Sequence, residues 1–399
     1  MTKKKNVKEV EQNVLNTFKK EIPSIHFSDK QERDYQLWIA KQPYIFRDLL
    51  HFPPKMFDGC SLIDFGAGTG ENTIQFANWG AKCTLVDVND KACNIARKVF
   101  KTYAENTKNH RIICESIFDY KCDEKYDIVV SSGVIHHTGD KENAFSRISS
   151  FIKPDGYIIL GIGNKVGGFQ NMLQRMIIYN FARTDEDIVE IAEKLFKEDI
   201  DRSQKVGKRT RRAIIFDRFV VPKQDDPTIS EVLQWFCDNN LNFYSSYPPI
   251  LPPVLSDLQQ ERVFRPQDFL DVGAFTEAFW MIHRDDDVKE VPKILKSFTK
   301  LSKTQFDLTD YVNDFNLDTT FKKDLMSDYV EKYRQALNEV DLLSYLKKGH
   351  KCLFDELYEV IDLLREPDFE NISKYLKKTK YLFRGANGLR QMYFIAYKN

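Results

Sequence analysis

Two acidic residues and a run of glycines mark the part of the sequence that could bind a ligand. The stretch LIDFGAGTGENT (62–73) places Asp64 at the end of an apolar run, followed by Gly66, Gly68 and Gly70 at alternate positions. Glycines in a turn between a strand and a helix let the backbone approach a ligand closely. Asp87 ends the next apolar run, 23 residues after Asp64, where its carboxylate can accept the hydroxyl groups of a ribose. These residues predict a site for a ligand that contains a nucleoside.

Three kinds of site use such a glycine-rich turn, and Glu71 helps to choose between them. A dinucleotide site needs Gly or Ala where this chain has Glu71, and a carboxylate there would repel a diphosphate. A P-loop needs Gly-Lys-Ser/Thr, which does not follow. S-adenosylmethionine carries no phosphate; its ammonium group can face Asp64 and its ribose can face Asp87. The glycine spacing and Glu71 therefore favour S-adenosylmethionine as the ligand.

The residues that could bind this ligand lie at the ends of strands in a regular alternation of strands and helices. A helix is predicted from Lys141 to Phe151, and apolar runs predict five strands: SLIDF (61–65), KCTLVDV (82–88), RIICES (111–116), YDIVVSSG (126–133) and GYIILGIG (156–163). Strands that are apolar on both faces and separated by helices form a parallel sheet covered on both sides. We therefore expect an α/β fold with a doubly wound, mostly parallel sheet.

The alternation is interrupted after the fifth strand. Residues 165–227 carry helical patterns and predict a helical insertion that covers the site. The core resumes at Thr228, which has capping-box spacing to Glu231. Residues 1–33 are polar and lysine-rich, and they predict a leader helix that is frayed or loosely docked. Residues 286–399 are charged and mainly helical by pattern, and their last segment, YLFRGANGLRQMYFIAYKN, is expected to end in a hairpin-type strand.

Four segments, in this order, resemble the class I (Rossmann-like) S-adenosylmethionine-dependent methyltransferases. LIDFGAGTG is similar to the first motif of that family, LVDVN to the second, KYDIVVSSGVIHH to strand four and its loop, and FSRISSFIKPDGYIILG to the next helix, turn and strand. The resemblance covers residues 55–164 well and residues 228–285 more loosely. It implies a seven-stranded sheet whose reversed last strand ends at EAFWMIHR (277–284), with a core of residues 34–164 and 228–285 and a helical C-terminal extension, 286–399.

The resemblance also implies which residues hold the cofactor. They are Asp64, Gly66, Ala67, Gly68, Gly70, Asp87, Val88, Ser116, Ile117 and Ser132. The methionine end would contact the glycine loop and Asp64, and the ribose would contact Asp87. After the third strand the family usually has an acid and then an apolar residue, which touch the adenine. Here the segment reads CESIFD, and its spacing favours Ser116 with Ile117, with Glu115 as the alternative.

His136 and His137 follow the fourth strand, at the edge of the sheet where ligands bind. Under one interpretation, one of them is a general base or touches the substrate. Under the other, the loop packs against the cofactor and both histidines are structural. A dedicated base is needed only when the methyl acceptor is protonated at neutral pH, because alignment supplies much of the rate in a displacement with a good leaving group.

A basic cluster lies within the predicted insertion. It comprises Lys205, Lys208, Arg209, Arg211 and Arg212. Such a cluster recognises a phosphate, a carboxylate or an RNA backbone when its charges are free. The alternative is a solvated face that is balanced by the Asp and Glu residues nearby.

The composition argues against several classes of protein. The 59 Lys and Arg residues balance 59 Asp and Glu residues, so a general nucleic-acid or membrane-surface binder is not indicated. The seven cysteines include no C-x-x-C pair, which predicts a reduced, cytoplasmic protein without a structural zinc. No His/Cys/Asp grouping has the spacing of metal ligands, so no metal is expected. No apolar run reaches the ~18 residues of a membrane helix, so no membrane partner is expected.

We therefore expect a cytoplasmic S-adenosylmethionine-dependent methyltransferase. The expected acceptor is an oxygen or nitrogen atom of a small or medium-sized metabolite. The alternatives are an RNA or protein acceptor, or a non-catalytic binding module with the same fold. Amino-methylating members of the family have an Asn/Asp-Pro-Pro-aromatic run after strand four, whereas this chain has SSGV (131–134), which argues against methylation of a nucleobase amino group. The sequence leaves the oligomeric state open.

Overall fold

The computed structural model describes residues 7–27, 32–106, 109–207, 209–250, 270–284, 287–313, 322–340, 342–384 and 391–398. Within these ranges the chain forms one seven-stranded sheet with helices on both faces. The strands are β1 (Ser61–Phe65), β2 (Lys82–Asp87), β3 (Arg111–Cys114), β4 (Tyr126–Ser132), β5 (Ile152–Gly163), β6 (Leu241–Tyr247) and β7 (Gln391–Lys398).

The strand order confirms the predicted doubly wound sheet with one reversed strand. The order is β3-β2-β1-β4-β5-β7-β6. Neighbouring strands from β3 to β5 pair in parallel, and β7 pairs antiparallel with both β5 and β6. The carboxyl ends of β1, β2 and β4 therefore meet at one edge, which brings Asp64, Asp87 and Ser132 to the same side of the molecule.

The prediction that EAFWMIHR forms the last strand is wrong. These residues belong to a helix, α11 (Leu270–Ile282), which buries Gly273, Glu277 and Trp280 at helical spacing. A short apolar run does not by itself distinguish a strand from a buried helix. The reversed strand is instead β7, which comes from the closing segment of the chain. Between β6 and β7 the described residues are mainly helical, so the chain leaves the sheet after β6 and returns to it at β7.

Fifteen α-helices lie within the described residues, and several of them begin at a residue whose side chain caps the helix. Asn89 caps α4 through Lys91 and Ala92, and Thr228 with Glu231 forms a complete capping box at the start of α10. The helices are α1 (Val7–Lys20), α2 (Glu32–Ile39), α3 (Ile74–Asn78), α4 (Asp90–Tyr103), α5 (Lys141–Ser149), α6 (Phe169–Tyr179), α7 (Asp185–Leu195), α8 (Lys197–Gly207), α9 (Arg211–Ile215), α10 (Ile229–Asp238), α11, α12 (Asp287–Asn313), α13 (Lys323–Glu339), α14 (Leu342–Leu363) and α15 (Phe369–Leu376).

Apolar side chains form three buried clusters. Two of them cover the two faces of the sheet, as the strands with apolar residues on both faces require. The third contains Leu173 and Ile177 of α6, Phe219, Leu353 of α14 and Leu376 of α15. Helices from the insertion after β5 therefore share one core with helices from the segment between β6 and β7. We call this helical part of the molecule the cap.

Candidate active site

The turn after β1 has the backbone that its glycines predict. Gly66, Gly68 and Gly70 have φ values of 76°, 55° and 72°, in the left-handed region that side chains disfavour. The helix that follows, α3, begins only at Ile74. The glycines therefore form a tight loop that separates the end of β1 from the first helical turn.

The backbone donors of this loop bond to the protein itself. The N–H groups of Gly66 and Ala67 donate to the carbonyl oxygen of Val86 at 2.7 and 3.3 Å. Gly68 N–H donates to Asp87 Oδ2 at 2.8 Å, and Thr69 N–H donates to Ser24 Oγ at 3.1 Å. A diphosphate site at a helix N-terminus depends on N–H groups that point at the ligand. This loop directs those four donors inward, which argues against a diphosphate ligand on grounds independent of Glu71.

Glu71 is buried, and it has a role that the sequence did not indicate. Its Oε2 atom accepts hydrogen bonds from the N–H groups of His26 and Phe27 at 2.6 and 2.8 Å. The carboxylate therefore fixes the chain that follows α1 against the glycine loop. The side chain of Phe27 is fully buried beside it, so this contact is part of the core.

Side chains from other parts of the protein lie close to Gly66 and Gly68, on the side where a Cβ atom would be. A Cβ atom at Gly66 would lie 2.2 Å from Val134 Cγ2, and one at Gly68 would lie 2.5 Å from Ser24 Oγ. Both distances are far shorter than a van der Waals contact. Close packing by the protein's own side chains is therefore one reason for glycine at these positions, together with the positive φ values.

Asp64 lies at the carboxyl end of β1 and is 4% exposed. It accepts a hydrogen bond of 2.5 Å from Thr73 Oγ1. Burial raises the pKa of its carboxyl group to about 7, against the opposing effect of the Thr73 hydrogen bond, and the nearby charge of Asp87 adds to the increase. A buried carboxylate of this kind gains most from a cationic partner, because its charge is poorly solvated.

Asp87 lies at the end of β2, one strand away. Its two carboxylate oxygens accept N–H groups from Gly68 and Asn89, each at 2.8 Å. Burial raises the pKa of Asp87, and these two backbone hydrogen bonds oppose the increase. Each oxygen has a further lone pair, so the fixed carboxylate retains the capacity to accept two hydroxyl groups.

The residues expected near an adenine lie at the ends of β2 and β3. Val88 is 36% exposed, and Glu115 is exposed. Ser116 and Ile117 are both buried, and Ile117 packs in the core cluster on one face of the sheet. The hydroxyl group of Ser116 accepts a hydrogen bond from Phe118 N–H at 3.1 Å and donates one to the carboxylate of Glu11.

The N-terminal helix α1 is docked across this edge, whereas the sequence predicts a loosely attached leader. Asn89 Nδ2 donates to the carbonyl oxygen of Phe18 at 3.2 Å, and Lys91 Nζ donates to that of Lys19 at 3.0 Å. Thr69 Oγ1 donates to the carbonyl oxygen of Ser24 at 2.8 Å. Most of these contacts use backbone oxygens of the leader, so no side-chain pattern could have revealed them.

Ser132 at the end of β4 is linked to a tyrosine that the sequence did not single out. Ser132, Gly161 and Tyr393 are register partners on β4, β5 and β7. A Cβ atom at Gly161 would lie 2.4 Å from Ser132 Oγ and 2.8 Å from Tyr393 Cε1, so glycine leaves room for the two side chains to meet across β5. They form a hydrogen bond, and burial raises the pKa of Tyr393. Finding this pair required knowing that β7 lies beside β5.

His136 and His137 are both buried, at 3% and 6% exposure, in a short helical turn after β4. His137 Nδ1 lies 2.7 Å from the carbonyl oxygen of Lys223, and its ring packs edge-on against Phe18 of α1. Burial lowers the pKa of His137 to about 3, with a smaller contribution from the charge of His136. His137 is therefore neutral at physiological pH and a weak base.

His136 has an acidic neighbour. Its Nδ1 atom lies 3.8 Å from Asp226 Oδ1, and both side chains are almost fully buried. Asp226 lies at the end of the insertion, just before α10, so the pair is formed by two distant parts of the chain. It lies close to the end of β5, because a Cβ atom at Gly163 would lie 2.2 Å from Asp226 Oδ1. The sequence singled out the histidine but not the carboxylate.

The arginines of the basic cluster form ion pairs within the protein. Arg209 pairs with Asp217 at 2.9 Å, and Arg211 pairs with Glu193 and Asp201. Arg212 pairs with Glu21 and Glu186, each at 2.8 Å. Lys208 lies outside the described residues. The arrangement of these arginines agrees with the interpretation that nearby acids balance the cluster, and it argues against a free anion clamp.

Within the ranges that the structure describes, no three His, Cys, Asp or Glu side chains are grouped as a metal site would require. None of the helices described there combines the length and the apolar character that crossing a bilayer demands.

Comparisons with known proteins agree with this geometry. Residues 37–176 match a family model described as a methyltransferase domain. Over 122 residues the chain is 30% identical to a highly reducing polyketide synthase of Gibberella fujikuroi, a match that covers 28% of this chain and 5% of that protein. Over 110 residues it is 31% identical to the ubiquinone biosynthesis O-methyltransferase of Bradyrhizobium sp., a match that covers 27% of this chain and 41% of that protein. The chain therefore spans less than half the length of both relatives.

Solved structures include similar chains as well. PKMT2 from Rickettsia typhi, in complex with AdoHcy, aligns with a TM-score of 0.43 and 14% identity over 60% of this chain and 51% of that chain. The family match extends from α2 to α6 and includes β1 to β5, the strands that carry Asp64, Asp87 and Ser132. The methyl donor of this family is S-adenosyl-L-methionine. Residues 37–176, which carry the candidate cofactor site, are therefore identified as a methyltransferase domain.

Proposed function

We propose that this protein transfers the methyl group of S-adenosylmethionine to an oxygen or nitrogen atom of a small or medium-sized metabolite. The observation that carries the proposal is the combination of two buried acids with a glycine loop whose N–H donors point inward. Asp64 suits an ammonium group and Asp87 suits a ribose, while the loop offers little to a diphosphate. These features fit a cationic nucleoside that carries no phosphate.

The residues around the loop would orient the two reactants. When bound, S-adenosylmethionine supplies a methyl group on a positively charged sulfur, which a nucleophile displaces in line. Asp64 would hold the ammonium group and Asp87 the ribose hydroxyls, and the pair of Ser132 and Tyr393 would lie at the end of β4 beside the methionine portion. Alignment of this kind supplies much of the acceleration in a displacement reaction.

An acceptor that loses a proton needs a base, and we propose His136 for this role. When the acceptor is a hydroxyl group, His136 would take the proton that the hydroxyl loses as its oxygen bonds to the methyl group, and the electron pair of the broken carbon–sulfur bond would remain on the departing sulfur. Asp226, at 3.8 Å from His136 Nδ1, would stabilise the imidazolium that results. His137 is a poor choice because burial lowers its pKa to about 3.

The proposal of a small acceptor is supported by the charges around the site. Arg209, Arg211 and Arg212 are paired with carboxylates, so they offer little to the backbone of an RNA. The chain as a whole has no net charge. An RNA or protein acceptor is the alternative, and incubation with a labelled methyl donor distinguishes it from a small metabolite. We propose the cytoplasm as the location, because the cysteines are free thiols, which suits a reducing compartment.

Calorimetric titration with S-adenosylhomocysteine tests the cofactor site. The wild-type protein should bind it, and Asp87→Ala should weaken binding about 10- to 100-fold, because hydrogen bonds to a charged group are lost. Asp123→Ala is the matched control, since Asp123 is exposed and lies away from the strand ends. Failure of the wild-type protein to bind would favour the non-catalytic alternative and contradict the proposal.

Incubation with S-adenosylmethionine labelled in its methyl group identifies the acceptor class. The protein is mixed in parallel with a metabolite extract, with bulk RNA and with bulk protein, and the label is followed into each fraction. We expect label in the metabolite fraction, and we expect His136→Ala to reduce its incorporation when the acceptor is a hydroxyl group. Label in RNA or protein alone would overturn the proposed acceptor while leaving the methyltransferase activity in place.

A further inference from the structure

The end of β3 is where the base of a bound nucleoside would lie. β2 and β3 pair in parallel with Asp87 opposite Cys114, and Ser116 follows two residues later. A ribose held by Asp87 therefore directs its base towards Ser116. An adenine base carries an exocyclic amino group that donates hydrogen bonds, so the polar partner it requires there is an acceptor. The presence of such a base rests on the proposed function, which supplies the nucleoside.

Ser116 alone is poorly suited to that requirement. Its hydroxyl group already accepts from Phe118 N–H at 3.1 Å, and its proton is donated to the carboxylate of Glu11. The acceptor capacity that remains at this place belongs mainly to Glu11. An ionised carboxylate has about four lone-pair positions, and the bond from Ser116 uses one of them.

Glu11 is held in position by the helix that carries it. On the neighbouring turns of α1, Val10 and Thr17 are buried. Towards the end of the helix, the carbonyl oxygens of Phe18 and Lys19 accept hydrogen bonds from Asn89 and Lys91, next to Asp87. The segment that carries Asp87, the residue expected to bind the ribose, is therefore bonded to α1, the helix that carries Glu11. These contacts fix the distance between the two carboxylates.

We propose that Glu11, on the N-terminal helix, is the residue that recognises the adenine amino group of the cofactor. Its carboxylate accepts a hydrogen bond from the amino group, and the hydrogen bond that Ser116 donates orients the carboxylate. A base with an oxygen in place of the amino group would direct the lone pairs of that oxygen towards the negatively charged carboxylate of Glu11, and the two would repel each other. Glu11 therefore selects adenine over hypoxanthine, and this segment, which the sequence assigns to a polar leader, forms part of the cofactor site.

The test compares S-adenosylhomocysteine with S-inosylhomocysteine, in which a carbonyl oxygen replaces the amino group at position 6 of the base and the adjacent N1 carries a hydrogen. Affinities are measured by calorimetry for the wild-type protein and for Glu11→Gln. The wild-type protein should prefer the adenosine compound by about 100-fold, since an unmatched buried polar group is strongly rejected. The amide of Glu11→Gln both donates and accepts, so the preference should fall about tenfold or more. Glu9→Gln, at an exposed position of the same helix, should leave the preference unchanged.

Two further results distinguish recognition from mere support of the helix. Ser116→Ala should reduce the preference to a lesser extent than Glu11→Gln, because it frees the carboxylate without removing it. If Glu11→Gln weakens both ligands equally and the preference persists, Glu11 only holds α1, and the inference is overturned. If the wild-type protein binds neither ligand, the proposed function itself fails. Circular dichroism confirms that each variant retains its helices.

Discussion

Gly66 and Gly59 both have a φ value of 76°, but their surroundings differ. A Cβ atom at Gly59 meets nothing within 4 Å, whereas one at Gly66 would lie 2.2 Å from Val134. The two positions therefore separate backbone strain from steric conflict. Gly66 lies in the glycine loop after β1 and Gly59 precedes β1, so the comparison also shows how much of the loop's sequence is required by folding.

We expect Gly59→Ala to lower the free energy of unfolding by about 1–2 kcal/mol, the cost of a left-handed backbone. Gly66→Ala should lower it by about 2–5 kcal/mol, because overpacking adds to the same strain. Urea unfolding without ligand measures both changes. Combining Gly66→Ala with Val134→Ala should restore only part of the lost free energy of unfolding, namely the part by which Gly66→Ala exceeds Gly59→Ala. If Gly59→Ala and Gly66→Ala lower the free energy of unfolding equally, the loop that carries Val134 moves away without an energetic cost.

We expect Asp64 to make cofactor binding depend on pH. Burial raises the pKa of its carboxyl group to about 7, so below pH 7 the free protein holds a proton there and lacks the charge that attracts an ammonium group. The affinity for S-adenosylhomocysteine should therefore fall about tenfold between pH 8 and pH 6, with release of a proton on binding.

Calorimetry in buffers of different ionisation enthalpy measures both quantities. Asp64→Asn should bind more weakly at pH 8 and lose the pH dependence over this range. A pH dependence that survives in Asp64→Asn would assign the proton to another group.

The helix α1 acts as an element of the site, although its own sequence is polar. Its contacts extend from Ser116 at the end of β3 to His137 after β4, and the segment beyond it is fixed by Glu71. The cofactor edge of the sheet is thus covered by a helix with only two buried residues, Val10 and Thr17. Such an element has a low local stability, and a ligand that it touches should stabilise it.

We expect S-adenosylhomocysteine to slow tryptic cleavage after Lys19 and Lys20 by about tenfold, because opening of α1 would first require loss of the ligand. Cleavage after Lys332, on the exposed side of α13, provides the internal control and should be unaffected. Equal protection at both places would indicate a general effect on stability, and no protection at α1 would contradict its contact with the ligand.

The elements differ in how well the sequence predicted them. β1 to β5 were predicted because each is a short apolar run in a regular alternation, and the cap of α10 was predicted because Thr228 lies at capping-box spacing to Glu231. The last strand was misplaced because EAFWMIHR and QMYFIAYK are both short apolar runs, and only pairing with β5 distinguishes them. At the site, Asp64 and Asp87 followed from strand ends, whereas Tyr393, Asp226 and Glu11 come from distant segments that local patterns do not connect.

The whole molecule is held together by the cap as well as by the sheet. The shared core of the cap joins Ile177 in the insertion after β5 with Leu353 and Val360 in α14. All three side chains are buried, at 0%, 0% and 1% exposure. The insertion after β5 and α14 are far apart in the sequence, and they should therefore unfold together.

Leu353→Ala tests this coupling. A buried Leu→Ala change costs about 2–5 kcal/mol, and here the loss should appear in the cap. Hydrogen–deuterium exchange should become faster in α6 as well as in α14, while β1 and β4 keep their protection. The exposed Leu337→Ala, in α13, is the matched control. Faster exchange in α14 alone would show that the two segments are independent.

The position of β7 has a consequence for how this chain is made. The strand fits between β5 and β6, yet 143 residues separate Tyr247 at the end of β6 from Gln391 at its own start. At ordinary rates of translation a ribosome needs on the order of ten seconds to cover that distance. Throughout this interval β5 and β6 lack the strand that pairs with both of them, and their unpaired edges can bind a chaperone or a foreign strand.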